Sequence, residues 1–260
     1  LRFGWWELLI LAPLFIGARG GISKAPIGVS SAFQSQDEIL NYASLNPLWN
    51  LLSYELNSPT LKAIQLIEPE REQALMDAWK SRNAKEVSQI QWTDSSRIVL
   101  IILESFGQKL AELSSSSGES YTPHLDTLRG EGLDYTQAYA ASFRSDRGLT
   151  ALLTGMPSFA TQVLSNDPIL LGKAPSLIQA FKQAGWYTSM HHGGSLDLGN
   201  MRVLFNGIDD LFEASDFKGP SGSWGVHDEF VFNQFAQDVI QRGPRSFQIL
   251  YSLSSHEPFT

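Results

Sequence analysis

The sequence predicts an α/β protein whose mostly parallel sheet is flanked by helices. Residues 97–103 (RIVLIIL) form a continuous apolar run, which is typical of a strand buried on both faces of a parallel sheet. Residues 187–192 and 246–253 have the composition of further strands. Helical patterns separate these strands, as expected when parallel strands are joined by helical crossovers. The helical stretches are residues 123–131, 147–155, 176–186 and 225–242.

Two details complete this outline of the domain at 96–260. Residues 133–139 are predicted to be a second extended segment, placed between the first two helical stretches. Ser176 is the expected N-cap of its helix and Gly185 the expected C-cap, because a serine side chain accepts a backbone hydrogen bond and glycine tolerates the left-handed conformation.

The part of the chain before residue 96 has a different character. Residues 18–95 begin with an irregular Gly/Pro/Ser-rich stretch and continue with short polar helices around 36–56 and 70–86. Widely spaced apolar residues and many charges are typical of solvated helices. The pattern indicates a helical linker that packs against another part of the protein instead of forming its own core.

Residues 1–17 contain an apolar run of about 13 residues interrupted by Glu7. A span of the bilayer takes roughly 20 residues, so this run alone is too short. No basic segment or cleavage site of a signal peptide accompanies it. Three interpretations stay open: the end of a transmembrane helix, which the flanking Trp5, Trp6, Arg19 and Lys24 favour, a helix at the membrane interface, or a buried core helix.

The composition restricts the class of partner. A net charge of −8 provides no basic field for binding phosphate backbones, so a nucleic-acid partner is not expected. A small anionic substrate remains compatible, because a bound cation inverts the local potential. The absence of cysteine removes disulfides, thiolate nucleophiles and thiolate metal ligands.

Several polar residues follow the predicted strands. Glu104 comes directly after 97–103, where it is either an ordinary polar residue leaving the sheet or a ligand for a hard cation. His191 and His192 end one strand and His256 follows another. A single histidine is more often structural than functional. Because ligands collect at the carboxyl ends of parallel strands, this convergence favours a site at that edge.

The segment 142–155 (SFRSDRGLTALLTG) places Ser145 at the start of a helix. Exposed N–H groups and the helix dipole favour an anion at that position. Arg144 and Arg147 flank the serine and are candidates for binding phosphoryl or sulfuryl oxygens. The alternative is that Ser145 or Asp146 only caps the helix.

Seven stretches, taken in order, carry a family resemblance. They are RIVLIILES, TPHLDTLRGEGLDYTQAYA, SFRSDRGLTALLTG, SLIQAFKQAGWYTSMHHGG, NGIDDLF, WGVHDEFVF and SLSSHEPF. Together they resemble the lipoteichoic acid synthase-like branch of the alkaline phosphatase/sulfatase superfamily, over about residues 97–260. More weakly, residues 18–60 resemble the linker between that family's membrane helices and its extracellular catalytic domain.

The resemblance implies roles for individual residues. Glu104 matches the family's first metal-binding carboxylate, and Ser145 matches the nucleophile, a threonine in many members, which also contacts the metal. His256 and His192 match histidines of the substrate pocket. The implied cofactor is a divalent metal ion, Mn²⁺ or Mg²⁺. His227–Asp228 falls in the helix-starting WGVHDEF segment and is expected to be structural.

The sequence also departs from the family's pattern. The remaining metal ligands, an Asp-His pair, are expected beyond Thr260, so the sheet is expected to be incomplete at its C-terminus and the chain inactive as given. Phosphoglycerol-handling members carry Trp and Arg where this sequence has Gly199 and Met201, with Arg202 one residue further. The sulfatase signature, Cys or Ser followed by x-Pro-x-Arg, is not met at Ser145.

The resemblance implies metal-dependent phospho- or sulfo-transfer or hydrolysis at the outer face of a cell membrane, through a covalent intermediate on Ser145. The implied substrate is a phospholipid or a small phosphorylated or sulfated molecule, with transfer of a lipid-headgroup phosphoglycerol as one form of the reaction. The alternatives are a sulfatase, a phosphoethanolamine transferase, or a non-catalytic membrane-anchored domain that binds a lipid headgroup or a glycan.

Overall fold

The computed structural model describes residues 5–22, 27–48, 95–158 and 163–259, together with scattered residues between 51 and 93. The chain divides into two compact units. The first consists of Leu1–Leu45 and Arg97–Thr260, and the second is Asn46–Ser96. Within the second unit, the residues described between 47 and 55 and between 71 and 81 are helical, at positions where the sequence predicts helices.

A parallel sheet forms the centre of the first unit. In the described residues its four strands lie in the order β1–β4–β2–β3, and each neighbouring pair is parallel. The strands are β1 (Arg97–Ile102), β2 (Tyr187–His192), β3 (Asp210–Phe212) and β4 (Ser246–Tyr251). Helices connect them, so the predicted fold class is confirmed.

The α-helices of the described residues follow in chain order. They are α1 (Trp5–Arg19), α2 (Glu38–Ala43), α3 (Gln108–Ala111), α4 (Pro123–Glu131), α5 (Ser145–Thr154), α6 (Pro168–Leu171), α7 (Leu177–Gln183) and α8 (Asp228–Arg242). Short 3₁₀ helices occur at Val29–Ala32, Leu164–Asn166, Leu198–Phe205 and Ala214–Asp216. The predicted N-cap of α7 is confirmed, because Ser176 Oγ accepts from the Gln179 amide at 3.3 Å.

The core lies on both faces of the two central strands, β2 and β4. On one face Met190, Phe247 and Ile249 pack against α5 and α7 with almost no exposed surface. On the other face Leu250 packs against Val231 of α8 and its neighbours. Both faces of these two strands are therefore covered, as expected for the central strands of a parallel sheet.

Two predictions about the sheet are corrected by the structure. β1 was expected to be buried on both faces, but it alternates, with Val99 and Ile101 more than 40% exposed. The reason is that Ile98, Leu100 and Ile102 pack against the core cluster, whereas Val99 and Ile101 point to the other face and belong to neither core cluster of the described residues. Residues 133–139 do not form a strand. The short strand β3, by contrast, was not anticipated.

Helix α1 has 15 residues and exposes most of its apolar side chains. Leu9, Leu14 and Phe15 are each more than 60% exposed, so a buried core helix is the one interpretation that this geometry does not fit. In the described ranges, every helix falls short of the length and apolar character that crossing a membrane requires.

Residues 27–45 pack against the rest of the first unit. The buried Asn41 side chain donates to Asn206 Oδ1 at 2.7 Å. The backbone of the buried Ser30 donates to Asn200 Oδ1 at 3.3 Å. These contacts join this segment to the Leu198–Phe205 helix, which forms one wall of the site described next.

Candidate active site

The carboxyl ends of the strands open onto a cavity of about 450 Å³. Its lining includes most of the residues that the sequence singles out, and three aromatic residues that it did not. The predicted residues in the lining are Glu104, Arg144, Ser145, His192 and His256. The additional aromatic residues are Phe143, Trp224 and Tyr251.

Glu104 lies two residues beyond the end of β1 and is 9% exposed. The parallel pairing of β1 with β4 extends past the strand ends, because the Ser252 amide donates to Ile102 O at 2.9 Å and the Glu104 amide donates to Ser252 Oγ at 2.8 Å. The next residue, Ser105, has a φ of +53°, which is uncommon for a non-glycine residue. This sharp turn leaves the carboxylate at the sheet edge, facing the cavity.

Ser145 is the first residue of α5, and its hydroxyl donates to Glu104 Oε2 at 2.9 Å. The helix N-cap is Arg144, and no side chain caps it. The alternative that Ser145 only caps the helix therefore does not describe its contact. The hydroxyl lies at the N-terminus of a ten-residue helix, where the helix dipole stabilises negative charge on oxygen.

The two arginines beside Ser145 have different positions. Arg144 lines the cavity with a half-exposed side chain, held by the buried Asp146 through contacts of 2.6 Å and 3.1 Å. The hydrogen bond with Asp146 raises the pKa of Arg144, so its charge is permanent. Arg147 does not line this cavity. It follows Ser145 by two helical positions, or about 200°, so substrate binding by Arg147 stays a prediction that the lining of this cavity does not support.

His192 is the last residue of β2 and is 2% exposed. Its Nδ1 donates to the carbonyl of Tyr251 at 3.0 Å, which leaves Nε2 directed toward the cavity. Burial lowers the pKa of His192, so the neutral ring, with Nε2 as an acceptor, is the stable form at neutral pH. The His192 and Tyr251 rings stack at 4.7 Å with 11° between their planes.

Burial raises the pKa of the Tyr251 phenol, and its hydrogen bond to Glu104 acts in the same direction. The phenol is therefore a permanent donor, and it donates to Glu104 Oε2. Tyr251 was missed in the sequence because it looks like one more apolar position of a buried strand. The β1–β4 register pairs Tyr251 with Ile102, which lies two residues before Glu104. This pairing is the signal that places Tyr251 near Glu104.

His256 reaches the cavity from the loop after β4, where it contacts the Trp224 ring at 4.4 Å between centroids. Asp228 at the start of α8 holds this loop. Its two carboxylate oxygens accept from the Leu253 and Ser254 amides at 2.7 Å and 2.8 Å. This contact gives Asp228 a positioning role, in keeping with the expectation that the His227–Asp228 pair is structural.

His191 points to the opposite face of the sheet and does not belong to the cavity. It is completely buried among aromatic rings, and its Nε2 contacts Asp238 Oδ2 at 2.8 Å. Burial lowers the pKa of His191, and the nearby Asp238 carboxylate offsets this only in part. The folded protein therefore disfavours the protonated ring.

This burial predicts a pH-dependent stability. The unfolded chain takes up a proton near the ordinary histidine pKa of about 6.5, whereas folded His191 does not. Stability is therefore complete above that pKa and is lost as the pH falls through it toward the lower folded value. From pH 7 to pH 5 we expect His191 to account for a loss of up to about 2 kcal/mol in the free energy of unfolding. Urea unfolding at pH 7 and at pH 5 measures this loss of stability.

The control for this prediction is a second histidine variant. His191→Phe should flatten the dependence between pH 7 and pH 5, while substitution of the exposed His124 by glutamine should leave it unchanged. His192 contributes a slope of the same sign to all three proteins. A wild-type slope in His191→Phe would contradict the assignment.

The opposite wall of the cavity is mainly apolar. Gly199 and Met201 contribute to it, as the family comparison of the sequence suggests, and Leu198 lies beside them. Arg202 is buried and faces away, with its guanidinium in contact with Asp197 at 2.9 Å and Glu213 at 2.5 Å. Burial works to lower the pKa of Arg202, but these two carboxylates raise it overall.

The residues of this site fit part of the coordination sphere of a hard cation. Glu104 and Ser145 present adjacent oxygen atoms, the donor type that Mg²⁺ and Mn²⁺ prefer. Divalent sites usually need three or more protein ligands. Among the residues that the structure describes, no group of three His, Cys, Asp or Glu side chains could hold a metal ion. The two oxygens therefore form an incomplete set.

Known proteins with this architecture share the alkaline phosphatase-like fold. A protein of the alkaline phosphatase superfamily from Vibrio parahaemolyticus is 26% identical with a TM-score of 0.58, and the match covers 73% of this chain and 50% of that one. The lipoteichoic acid synthase LtaP from Listeria monocytogenes is 20% identical with a TM-score of 0.55, over 64% of this chain and 42% of that one.

A third solved structure is the phosphoglycerol transferase GacH from Streptococcus pyogenes in complex with sn-glycerol-1-phosphate. It is 13% identical with a TM-score of 0.50, over 75% of this chain and 54% of that one. The chain thus spans about half the length of these solved proteins. Its fold class is that of the alkaline phosphatase superfamily.

Residues 96–260 match the family model named Sulfatase. The chain belongs to the sulfatase family, so the predicted membership of the alkaline phosphatase/sulfatase superfamily is confirmed.

Proposed function

We propose that the protein transfers or hydrolyses a phosphoryl or sulfuryl ester through a covalent intermediate on Ser145. The observation that carries this proposal is the 2.9 Å hydrogen bond from Ser145 Oγ to Glu104 Oε2 at the N-terminus of α5. It joins a hydroxyl nucleophile to a carboxylate in a cavity that also contains a permanent cation, Arg144, and a neutral acceptor, His192.

In the first step, Ser145 Oγ attacks the phosphorus or sulfur atom and the ester bond to the leaving group breaks. Glu104 Oε2 accepts the hydroxyl proton, and His256 donates a proton to the departing oxygen. Arg144 and the dipole at the N-terminus of α5 stabilise the negative charge that builds up on the non-bridging oxygens. An acceptor hydroxyl or water then attacks the ester on Ser145 and regenerates the free serine.

We infer a divalent metal ion, Mn²⁺ or Mg²⁺, as the cofactor of this reaction. Glu104 and Ser145 are the residues of this chain that would hold it. When bound, such an ion supplies Lewis acidity and lowers the pKa of a coordinated hydroxyl. The family membership supports this cofactor, and the oxygen donors of the site suit it.

The substrate that we propose is a phospholipid or a small phosphorylated or sulfated molecule, handled at the outer face of the cell membrane. Similarity to a lipoteichoic acid synthase and to a phosphoglycerol transferase supports a lipid-headgroup phosphoglycerol as one such substrate. The wall formed by Leu198, Gly199 and Met201 provides no cation for a second phosphate. Arg144 is the one arginine or lysine in the described lining, which favours a substrate with a single anionic ester group.

The proposal is tested by turnover of chromogenic esters. We would assay the intact protein with bis-p-nitrophenyl phosphate and with p-nitrophenyl sulfate, each in the presence of Mn²⁺, Mg²⁺ or EDTA. We expect metal-dependent release of nitrophenol from the phosphodiester, abolished by EDTA and restored by added Mn²⁺.

One observation favours a second function, a non-catalytic domain that binds a lipid headgroup or a glycan. In the ranges described here, Glu104 and Ser145 are an incomplete ligand set. Absence of turnover on either ester with every cation, combined with saturable binding of glycerol phosphate, would support the binding domain and contradict the enzyme.

A further inference from the structure

We propose that Tyr251 is a positioning residue for Glu104, holding its carboxylate beside the Ser145 hydroxyl. The proposal rests on the function proposed above for Ser145 and Glu104. It adds a residue to which neither the family membership nor the sequence motifs give a role.

The contacts of the carboxylate show what each donor contributes. Oε1 accepts from Ser105 Oγ at 3.0 Å, and Oε2 accepts from both Ser145 Oγ and the Tyr251 phenol. Serine hydroxyls rotate freely and reorient at little cost. Tyr251 is different, because its ring is rigid and its phenol oxygen has one fixed position.

Burial and stacking hold the Tyr251 ring in place. It is 3% exposed, and its face stacks on the His192 ring at 4.7 Å. The backbone is fixed as well, because its carbonyl accepts from His192 Nδ1 at 3.0 Å and its register partner in β1 is Ile102. Tyr251 is therefore the anchored donor of the three, and the flexible glutamate side chain takes its orientation from it.

Tyr251→Phe removes the phenol oxygen and keeps the ring that stacks on His192. We expect Glu104 to change its side-chain orientation and the Ser145 Oγ–Glu104 Oε2 distance to exceed 3.5 Å in a crystal structure of the variant. Removing the partner that orients a ligand or a base typically costs about 10- to 100-fold, so kcat on bis-p-nitrophenyl phosphate should fall by that factor with KM little changed.

Tyr187→Phe is the matched control. Tyr187 also donates its phenol to a carboxylate, Asp210 Oδ2, at 2.6 Å, but it begins β2 at the opposite end of the sheet. The Tyr187→Phe variant loses the same type of hydrogen bond, so its free energy of unfolding should also fall. Its kcat should nevertheless stay within about twofold of wild type.

The two readouts separate failure of this inference from failure of the proposed function. A retained Ser145–Glu104 contact in Tyr251→Phe overturns the inference, and so does a wild-type kcat when the wild-type protein is active. If the wild-type protein turns over neither ester, the proposed function fails, while the crystal structure of the variant still decides whether Tyr251 orients Glu104.

Discussion

Replacing Ser145 with alanine is expected to lower kcat/KM on bis-p-nitrophenyl phosphate by at least about 10³-fold, because no other hydroxyl takes the place of a covalent nucleophile. The folded state should change little. The side chain is half-buried and donates a hydrogen bond to Glu104, so the free energy of unfolding should fall by about 1 kcal/mol. Steady-state kinetics and urea unfolding of the same preparations measure the two effects.

Two further variants make this prediction specific. Ser145→Thr keeps a hydroxyl at this position, where many members of the related branch have threonine. This variant should retain measurable turnover. Ser142→Ala removes a nearby hydroxyl that contacts the Arg144 amide at 3.2 Å and not Glu104, so its turnover should match wild type. Full activity in Ser145→Ala would show that the nucleophile is elsewhere. Mass spectrometry of the reaction with the substrate should detect the ester on Ser145 in wild-type protein only.

The elements that the sequence predicts well are the ones with strong periodic or apolar patterns. β2 and β4 are buried on both faces, and their composition alone indicates strands. β3 has only three residues, too few for any periodicity to emerge. Residues 133–139 contain strand-like residue types but find no neighbouring strand, and a strand without a partner leaves its backbone groups unpaired.

The candidate site was predictable to the extent that it follows from topology. Parallel strands end at one edge, so Glu104, His192 and His256 were expected to meet there, and they line one cavity with Ser145. Tyr251 and Trp224 escaped detection because aromatic residues are common in any core, and only the register of β1 against β4 brings Tyr251 to Glu104. Side-chain direction was the other missing piece of information.

The direction of the side chain also distinguishes the roles of the arginines. Arg147 follows Ser145 by two residues but faces away from the cavity, and Arg202 follows Met201 but turns into the interior. Proximity in the sequence identified these segments but not the direction of each side chain. The helical or 3₁₀ geometry of a segment determines which of its side chains reach the cavity.

Replacing Arg202 with alanine is expected to lower the free energy of unfolding by about 3–5 kcal/mol, because it leaves two carboxylates without their cation in a mostly buried setting. The Arg202 side chain is 9% exposed, and its partners Asp197 and Glu213 are 28% and 15% exposed. Glu213 also accepts from the Leu196 amide at 2.7 Å, so the ion pairs connect both ends of the loop that carries the apolar wall. Urea unfolding at neutral pH measures the loss as a lower midpoint with an unchanged slope.

Arg242→Ala is the matched control for this substitution. Arg242 also pairs with a carboxylate, Asp210, at 2.6 Å, but its side chain is 46% exposed. An exposed pair contributes at most about 1 kcal/mol, because water replaces the lost partner. A similar small loss in Arg202→Ala would mean that water reaches Asp197 and Glu213 in the folded protein, and the wall of the cavity would then be held by its apolar contacts alone. A large loss confined to Arg202→Ala would show that this arginine serves the fold, which leaves Arg144 as the cation that faces the substrate.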